Sequence, residues 1–228
     1  VRGFETLAVI PARGGSKGIP RKNLADICGK PLVAYAIEAA RRAAWISRVV
    51  VSTDDPEIAE AAVRHGAEVP FLRPRDMAGD SALIGSAIQH ILGALRRQEG
   101  YACDCVCILL PTSPFRPAAF LDRMVSRIAE GYRNAYAVKR LAVGRHTFLA
   151  EDGDGYLPLA GDTTLREGAV SNAFRRYGVC VAQNLTGLDN GLDWAEEIDD
   201  PAMLLDIDSH EDLEVARLAV QRGRFAFA

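Results

Sequence analysis

Short apolar runs alternate along this chain with amphipathic segments, and that rhythm restricts the fold more than any single residue does. The runs at 7–11 and 48–52 read as strands, and the segments at 32–44 and 56–65 read as helices. Parallel strands need a crossover connection and a helix supplies it, so the order implies a mostly parallel central α/β sheet with helices on both faces. The rhythm continues with a short strand at 67–71, a helix at 81–97, a buried strand at 105–110 ending at Pro111, and a helix at 120–131. Another strand is expected at 134–139. A polar stretch rich in Gly and Asp follows at 151–168 without helical period, which predicts a loop or hairpin excursion. The chain returns through an apolar strand at 177–182 and an extended run at 204–207 to a final helix at about 210–221. Ser209 is placed to cap that helix: Asp212 three positions on gives a carboxylate variant of the capping box, and the acidic pair Glu211 and Asp212 complements the helix dipole.

A chain of 228 residues, 49% of them apolar, can bury a substantial core, and 1–228 reads as a single domain. The formal net charge of -3 is small and does not suggest nucleic acid as a partner, so basic function must be local. No stretch approaches the ~20 apolar residues that span a bilayer, and the expectation is a soluble, unsecreted protein with no membrane partner. The five cysteines are an odd number, and Cys103, Cys105 and Cys107 alternate along one run. That usage fits a reducing cytoplasm. Alternation puts the three side chains on one face of a strand, yet packing as small hydrophobes is favoured over a thiolate metal cluster, because no other His or Cys stands at a zinc-finger spacing. His65, His90, His146 and His210 show no i, i+4 pairing and read as surface or capping residues.

The segment IPARGGSKGIPRKN at 10–23 directly follows the first strand. In open α/β sheets ligands collect at the carboxyl ends of strands, where loop N–H groups can turn toward an anion. Gly14, Gly15 and Gly18 permit positive φ and close backbone approach, while Arg13, Lys17, Arg21 and Lys22 supply positive charge. The loop has neither Walker A nor dinucleotide-binding spacing. The bland alternative is a solvated surface turn; the density of glycines and cations at a strand end favours a polyphosphate.

Near the other terminus, Asp206-Ile207-Asp208 places two carboxylates on one side of an extended segment. Magnesium takes a few carboxylates together with water and phosphate oxygens, so such a pair suits a metal–nucleotide complex. Alternatively, either aspartate caps the following helix or pairs with Arg217.

Several segments resemble the acylneuraminate cytidylyltransferases (CMP-sialic acid synthetases) and their relatives acting on other nonulosonic acids. They are IPARGGSKGIPRKNL at 10–24, GKPLVAYAIEAA at 29–40, VVVSTDDPEIAEAA at 49–62, GAEVPFLRP at 66–74, PTSPFR at 111–116 and DIDSHEDLEVA at 206–216. The resemblance implies a Rossmann-like nucleotidyltransferase fold with a small dimerisation excursion, at about 134–176 here, and a homodimer. It implies CTP as co-substrate, a sugar acid as acceptor and Mg2+ as cofactor. By the family pattern, Arg13, Ser16, Lys17 and Asn23 hold the CTP phosphates and ribose, Arg73 and Ala82 match the cytosine-contacting stretch, and Asp206 and Asp208 match the magnesium ligands. Lys17, Arg13 and Asp208 are the residues expected to carry catalysis. The implied reaction is attack of the sugar's anomeric hydroxyl on the α-phosphorus of CTP with loss of pyrophosphate, accelerated by positioning and electrostatics.

Two departures concern the acceptor. The family usually reads LQPTSP where this chain has Leu109-Leu110-Pro111-Thr112-Ser113-Pro114, so a glutamine that commonly touches the sugar is replaced by Leu110. At Tyr177-Gly178-Val179-Cys180-Val181 the family more often reads NGAIYI, while Arg166 and Phe174 resemble neighbouring family positions. Loss of an amide contact predicts an acceptor other than N-acetylneuraminate. Activation of another sugar acid such as Kdo, or nucleotide or sugar binding without turnover, remains open at this point.

Overall fold

The computed structural model describes residues 3–16, 18–74, 77, 84–141, 149–152, 155–158 and 173–225. Its elements in chain order are β1 (Thr6–Pro11), β2 (Asp26–Ile27), β3 (Lys30–Pro31), α1 (Leu32–Arg42), β4 (Arg48–Ser52), α2 (Pro56–Arg64), α3 (Ile84–Glu99), β5 (Cys105–Ile108), α4 (Ala118–Ala129), β6 (Asn134–Leu141), β7 (Leu149–Asp152), β8 (Gly155–Pro158), β9 (Ala173–Asn184), β10 (Asp193–Glu197) and α5 (His210–Gln221).

Six strands form the central sheet in the order β10-β6-β9-β5-β1-β4. β1 lies parallel to β4 and β5, β10 lies parallel to β6, and β9 runs antiparallel to both β5 and β6. The mostly parallel α/β sheet expected from the rhythm is therefore present, with one reversed strand where the chain returns from the excursion. The apolar run of β1 is buried on both faces, and the period of two divides it between two layers. Leu7 and Val9 pack with Val50, Val106 and the α3 residues Ile88, Ile91 and Leu95. Ala8 and Ile10 pack on the other side with Val33 and Ile37 of α1, Ile58 of α2 and Phe120 of α4. A third cluster joins Ile27, Leu32, Tyr35 and Phe115 to Ile207 and to Leu213 of α5, so the C-terminal helix is seated against the chain's beginning.

Helix boundaries follow local chemistry. α2 starts at Asp55, whose carboxylate accepts from the N–H groups of Glu57 and Ile58, with Pro56 in the first turn where a missing N–H costs nothing. α5 carries the full capping box: Ser209 Oγ accepts from Asp212 N, and the Asp212 carboxylate accepts from Ser209 N and Asp208 N. Among the described residues, no helix is long and apolar enough to cross a membrane.

Three sequence expectations change, and one strand appears where none was expected. Residues 67–71 supply one parallel bridge, Val50 to Glu68, rather than a strand. The run at 204–207 is not extended sheet: Asp200 caps a 3-10 turn at Pro201–Leu204, and the Ile207 N–H then donates to the Thr112 carbonyl, a single tie instead of a ladder. β9 extends well before the expected 177–182, because Arg175 and Arg176 continue the pairing with β6 although neither is apolar. β10, with sequence DWAEE, has no apolar run to announce it and sits at the sheet edge, where charged residues are tolerated. The excursion does contain a hairpin, β7 with β8; residues 142–148 and 159–172 of it, including His146 and Arg166, lie outside the described residues. Cys105, Cys107 and Cys180 are buried. The neighbouring thiols Cys105 and Cys180, together with burial, push the Cys107 thiol well up, so it stays neutral and packs as a small hydrophobe.

Replacing Ser209 by Ala should lower stability by about 1 kcal/mol, read from urea unfolding, since one end of the capping box is lost. Asp212 is held below the ordinary carboxylate value by the Asp208 and Ser209 N–H groups. A depressed folded pKa stabilises above the unfolded value and loses that contribution as pH falls through the folded one. The stability advantage of wild type over Asp212→Asn should accordingly shrink below about pH 4, and an advantage that persists in strong acid would contradict the cap.

Candidate active site

The chain leaves β1 toward β4 on one side and later returns to β5 on the other, so a crevice opens between the loops that follow β1 and β5. The loop after β1 is anchored by the sheet: Ala12 N donates to Ser52 O, Gly14 N donates to Asp54 Oδ1 at 2.9 Å, and Asn23 Nδ2 donates to Arg13 O at 2.8 Å. A 3-10 turn at Lys22–Leu24 ends it. Gly14 and Gly18 act by close approach, and none of the loop's three glycines has the positive φ expected of them: among the described residues the left-handed non-glycine residues are Arg21 (φ 55°) and Cys28 (φ 52°). A Cβ on Gly18 would stand 2.3 Å from the Asp208 carbonyl oxygen, and one on Gly14 would stand 2.8 Å from Asp55 Oδ2. The basic loop thus lies directly on the acidic segment from the far end of the chain.

A cavity of about 330 Å³ fills the crevice, within the range of ligand pockets. Its polar wall includes Arg13, Ser16, Lys22, Asn23, Arg73 and Asp208, and its apolar wall Met77, Ile84, Leu110 and Pro111. Of the residues singled out in the sequence, Arg13, Ser16, Asn23, Arg73 and Asp208 are brought together here. Lys17 and Ala82 lie outside the described residues. Asp206 is exposed beyond buried Ile207 and is not among the cavity-lining residues. Arg21 points to the back of the loop, where it pairs with Asp55 at 3.0 Å and Glu57 at 2.8 Å.

Arg73 is 7% exposed. Its Nη2 donates to Ser52 O at 3.0 Å, and its Nε finds no partner among the described residues. Burial pushes its pKa down, Asp54 opposes that shift, and the nearby Arg13 charge adds to it. Two cations thus share a wall, and Asp54, the carboxylate that acts on Arg73, also accepts from Gly14 N. An incoming anion would relieve that repulsion.

Lys22, counted in the sequence only as one of the loop's cations, bridges the two ends of the chain. Its Nζ donates to the Ile207 carbonyl and to Asp208 Oδ1, each at 2.8 Å. Asp208 thus pairs with Lys22, while Arg217 pairs with Glu214 and donates to Asp26 O. The Asp208 side chain remains 76% exposed beside the cavity. Among the described residues no cluster of three or more metal-ligating side chains occurs. Asp208 on the wall, with Asp206 two residues before it in sequence, offers carboxylates that fit magnesium carrying waters and phosphate oxygens, and do not fit a closed protein cage.

Leu110, the first departure at the acceptor side, packs against Gly178, next to Tyr177 of the second. Leu110 N donates to Gly178 O at 3.4 Å, and a Cβ on Gly178 would stand 2.7 Å from Leu110 Cδ1. The leucine and the glycine are one packing unit, which sequence comparison along the chain could not reveal.

A family model described as cytidylyltransferase matches residues 7–150, more than half of the chain. The chain belongs to the cytidylyltransferase family. It is 44% identical over 111 residues to the pseudaminic acid cytidylyltransferase of Campylobacter jejuni, covering 49% of this chain and 47% of that protein. It is also 44% identical over 110 residues to the CMP-N,N'-diacetyllegionaminic acid synthase of Legionella pneumophila, covering 48% and 47%. The chain spans about half the length of these curated relatives in each match. A solved structure of CMP:2-keto-3-deoxy-manno-octonic acid synthetase complexed with CTP superposes with a TM-score of 0.67 at 18% identity, covering 96% of this chain and 99% of that one, a likeness of fold. The family match takes in the glycine loop, Arg73 and the Leu110–Ser113 turn, while Lys22's partner Asp208 lies beyond it.

The close approach at Gly18 makes a stability test. Gly18→Ala forces the loop off Asp208 and should cost about 1–3 kcal/mol. Among the described residues a Cβ at Gly15 meets nothing within 4 Å, so Gly15→Ala should be close to neutral. Equal effects of the two substitutions in urea unfolding would contradict the contact.

Proposed function

We propose that this chain joins CTP to a nonulosonic, 2-keto-3-deoxy sugar acid, giving the CMP-sugar and pyrophosphate. The observation that supports it most is the convergence of Arg13, Lys22, Arg73 and Asp208 on one cavity at the carboxyl ends of β1, β4 and β5. In the reaction the acceptor's anomeric oxygen forms a bond to the α-phosphorus, the bond from that phosphorus to the bridging oxygen breaks, the electron pair leaves with pyrophosphate, and the hydroxyl proton is released. Arg13, with Lys17, neutralises charge on the phosphates, Ser16 and Asn23 orient the nucleotide, and Arg73 with Ala82 borders the base. Asp208, joined by Asp206, would hold magnesium, which when bound neutralises phosphate charge and aligns the leaving pyrophosphate. Leu110, where the family usually has a glutamine, supports an acceptor other than N-acetylneuraminate. The protein works as a cytoplasmic homodimer in this reading, with the excursion at about 134–176 as its contact.

Incubation with CTP, Mg2+ and a panel of pseudaminic, diacetyllegionaminic, N-acetylneuraminic and 3-deoxy-manno-octulosonic acids should release pyrophosphate with at least one of the first two. Release with none of the four would overturn the proposal. Lys17→Ala should lose turnover by about 100-fold or more while its melting temperature stays near wild type, and an unchanged rate would remove Lys17 from its role.

A further inference from the structure

Arg116 is 0% exposed, among the largest fully buried side chains of the protein, and is not a cavity-lining residue. Its Nη2 donates to two carbonyls of the turn after β5, those of Leu110 and Ser113. Its Nε and Nη1 are buried and find no partner among the described residues. Burial pushes the guanidinium down to about 10, against the opposing influence of Cys180 and Asp206. An incompletely paired buried cation is costly, and an apolar side chain of similar volume in its place is often neutral or stabilising. Stability therefore does not explain this residue; the position of what it holds does. The turn it clamps carries Leu110, Pro111 and Thr112 onto the cavity wall, and the Thr112 carbonyl accepts from Ile207 N at 2.8 Å. Ile207 lies between Asp206 and Asp208.

We propose that Arg116 is a positioning residue, which sets the Leu110–Ser113 turn and, through the Thr112 to Ile207 hydrogen bond, the Asp208 carboxylate relative to the glycine loop. It touches neither substrate. The turn is held from the opposite side by Gly178, where a Cβ would stand 2.7 Å from Leu110 Cδ1 and 3.4 Å from Ser113 Oγ. A methyl group there crowds the Leu110 and Ser113 side chains of the same turn without altering any charge.

This inference rests on the cytidylyltransferase reading, and its test uses Arg116→Met, Arg116→Lys and Gly178→Ala in the full chain, compared with wild type. Melting temperature, kcat, the KM for CTP, and the calorimetric Kd for CTP with Mg2+ and with EDTA are measured. For Arg116→Met we expect a melting temperature equal to or above wild type, a kcat lower by about tenfold or more, and a smaller gain in CTP affinity on adding Mg2+. Arg116→Lys keeps the charge and a donor and should recover part of both; Gly178→Ala should reproduce the smaller Mg2+ gain. Wild-type kcat and Mg2+ gain in folded Arg116→Met overturn the proposal. So does a loss of activity that only follows the unfolded fraction, with wild-type values for the molecules that fold. Should Arg116→Met not fold, wild-type kcat and Mg2+ gain in both Arg116→Lys and Gly178→Ala overturn it instead. Wild-type protein that binds CTP but turns over no sugar acid defeats the functional reading alone, since the Mg2+ gain still reads the position of Asp208.

Discussion

The ammonium of Lys22 lies 2.8 Å from the Asp208 carboxylate and 2.8 Å from the Ile207 carbonyl, joining residues 186 apart in sequence. With Asp208 exposed, the ion pair alone contributes about 0–1 kcal/mol, so its importance is geometric. Gly18 packs against the Asp208 carbonyl of the same segment, and Thr112 holds Ile207 from the turn after β5. Three independent contacts thereby set the acidic segment against the basic loop. The crevice exists because the first and last parts of the chain meet across the carboxyl ends of three strands.

Charge placement within that crevice follows from burial. Arg73 is held by Ser52 and Thr53 at the end of β4 and has little water to screen it, and Arg13 stands close enough to lower its pKa further. In a medium of low effective dielectric such a pair favours an anionic guest more strongly than the same charges on an open surface would. Arg21 makes the contrast: though in the same loop, it faces away and is neutralised by Asp55 and Glu57, supporting the start of α2. Loop composition alone therefore overstated the number of cations available to a ligand.

Much of this was legible in the sequence because β1, β4 and β5 are short apolar runs and α2 and α5 carry cap residues, signals that act within a few residues. The capping box at Ser209 and the glycine loop after β1 belong to that class. What escaped depended on distant partners. β10 is a charged edge strand whose pairing with β6 leaves no apolar period. Lys22 could be counted as a loop cation, but its partner is near the other terminus. Leu110 and Tyr177 are departures from the family pattern at distant places, and only the fold shows Leu110 packed against Gly178, the neighbour of Tyr177 that the pattern keeps. Arg116 sat inside a recognisable motif with nothing local to show that its guanidinium would be buried beneath a turn.

The central claim is that the basic glycine loop and Asp208 enclose one triphosphate site. A crystal structure of the protein with CTP and Mg2+ tests it most directly. The triphosphate is expected in the crevice, in contact with Arg13 and Ser16, with the metal on Asp208. CTP bound elsewhere, or with its phosphates turned away from the loop after β1, would contradict it.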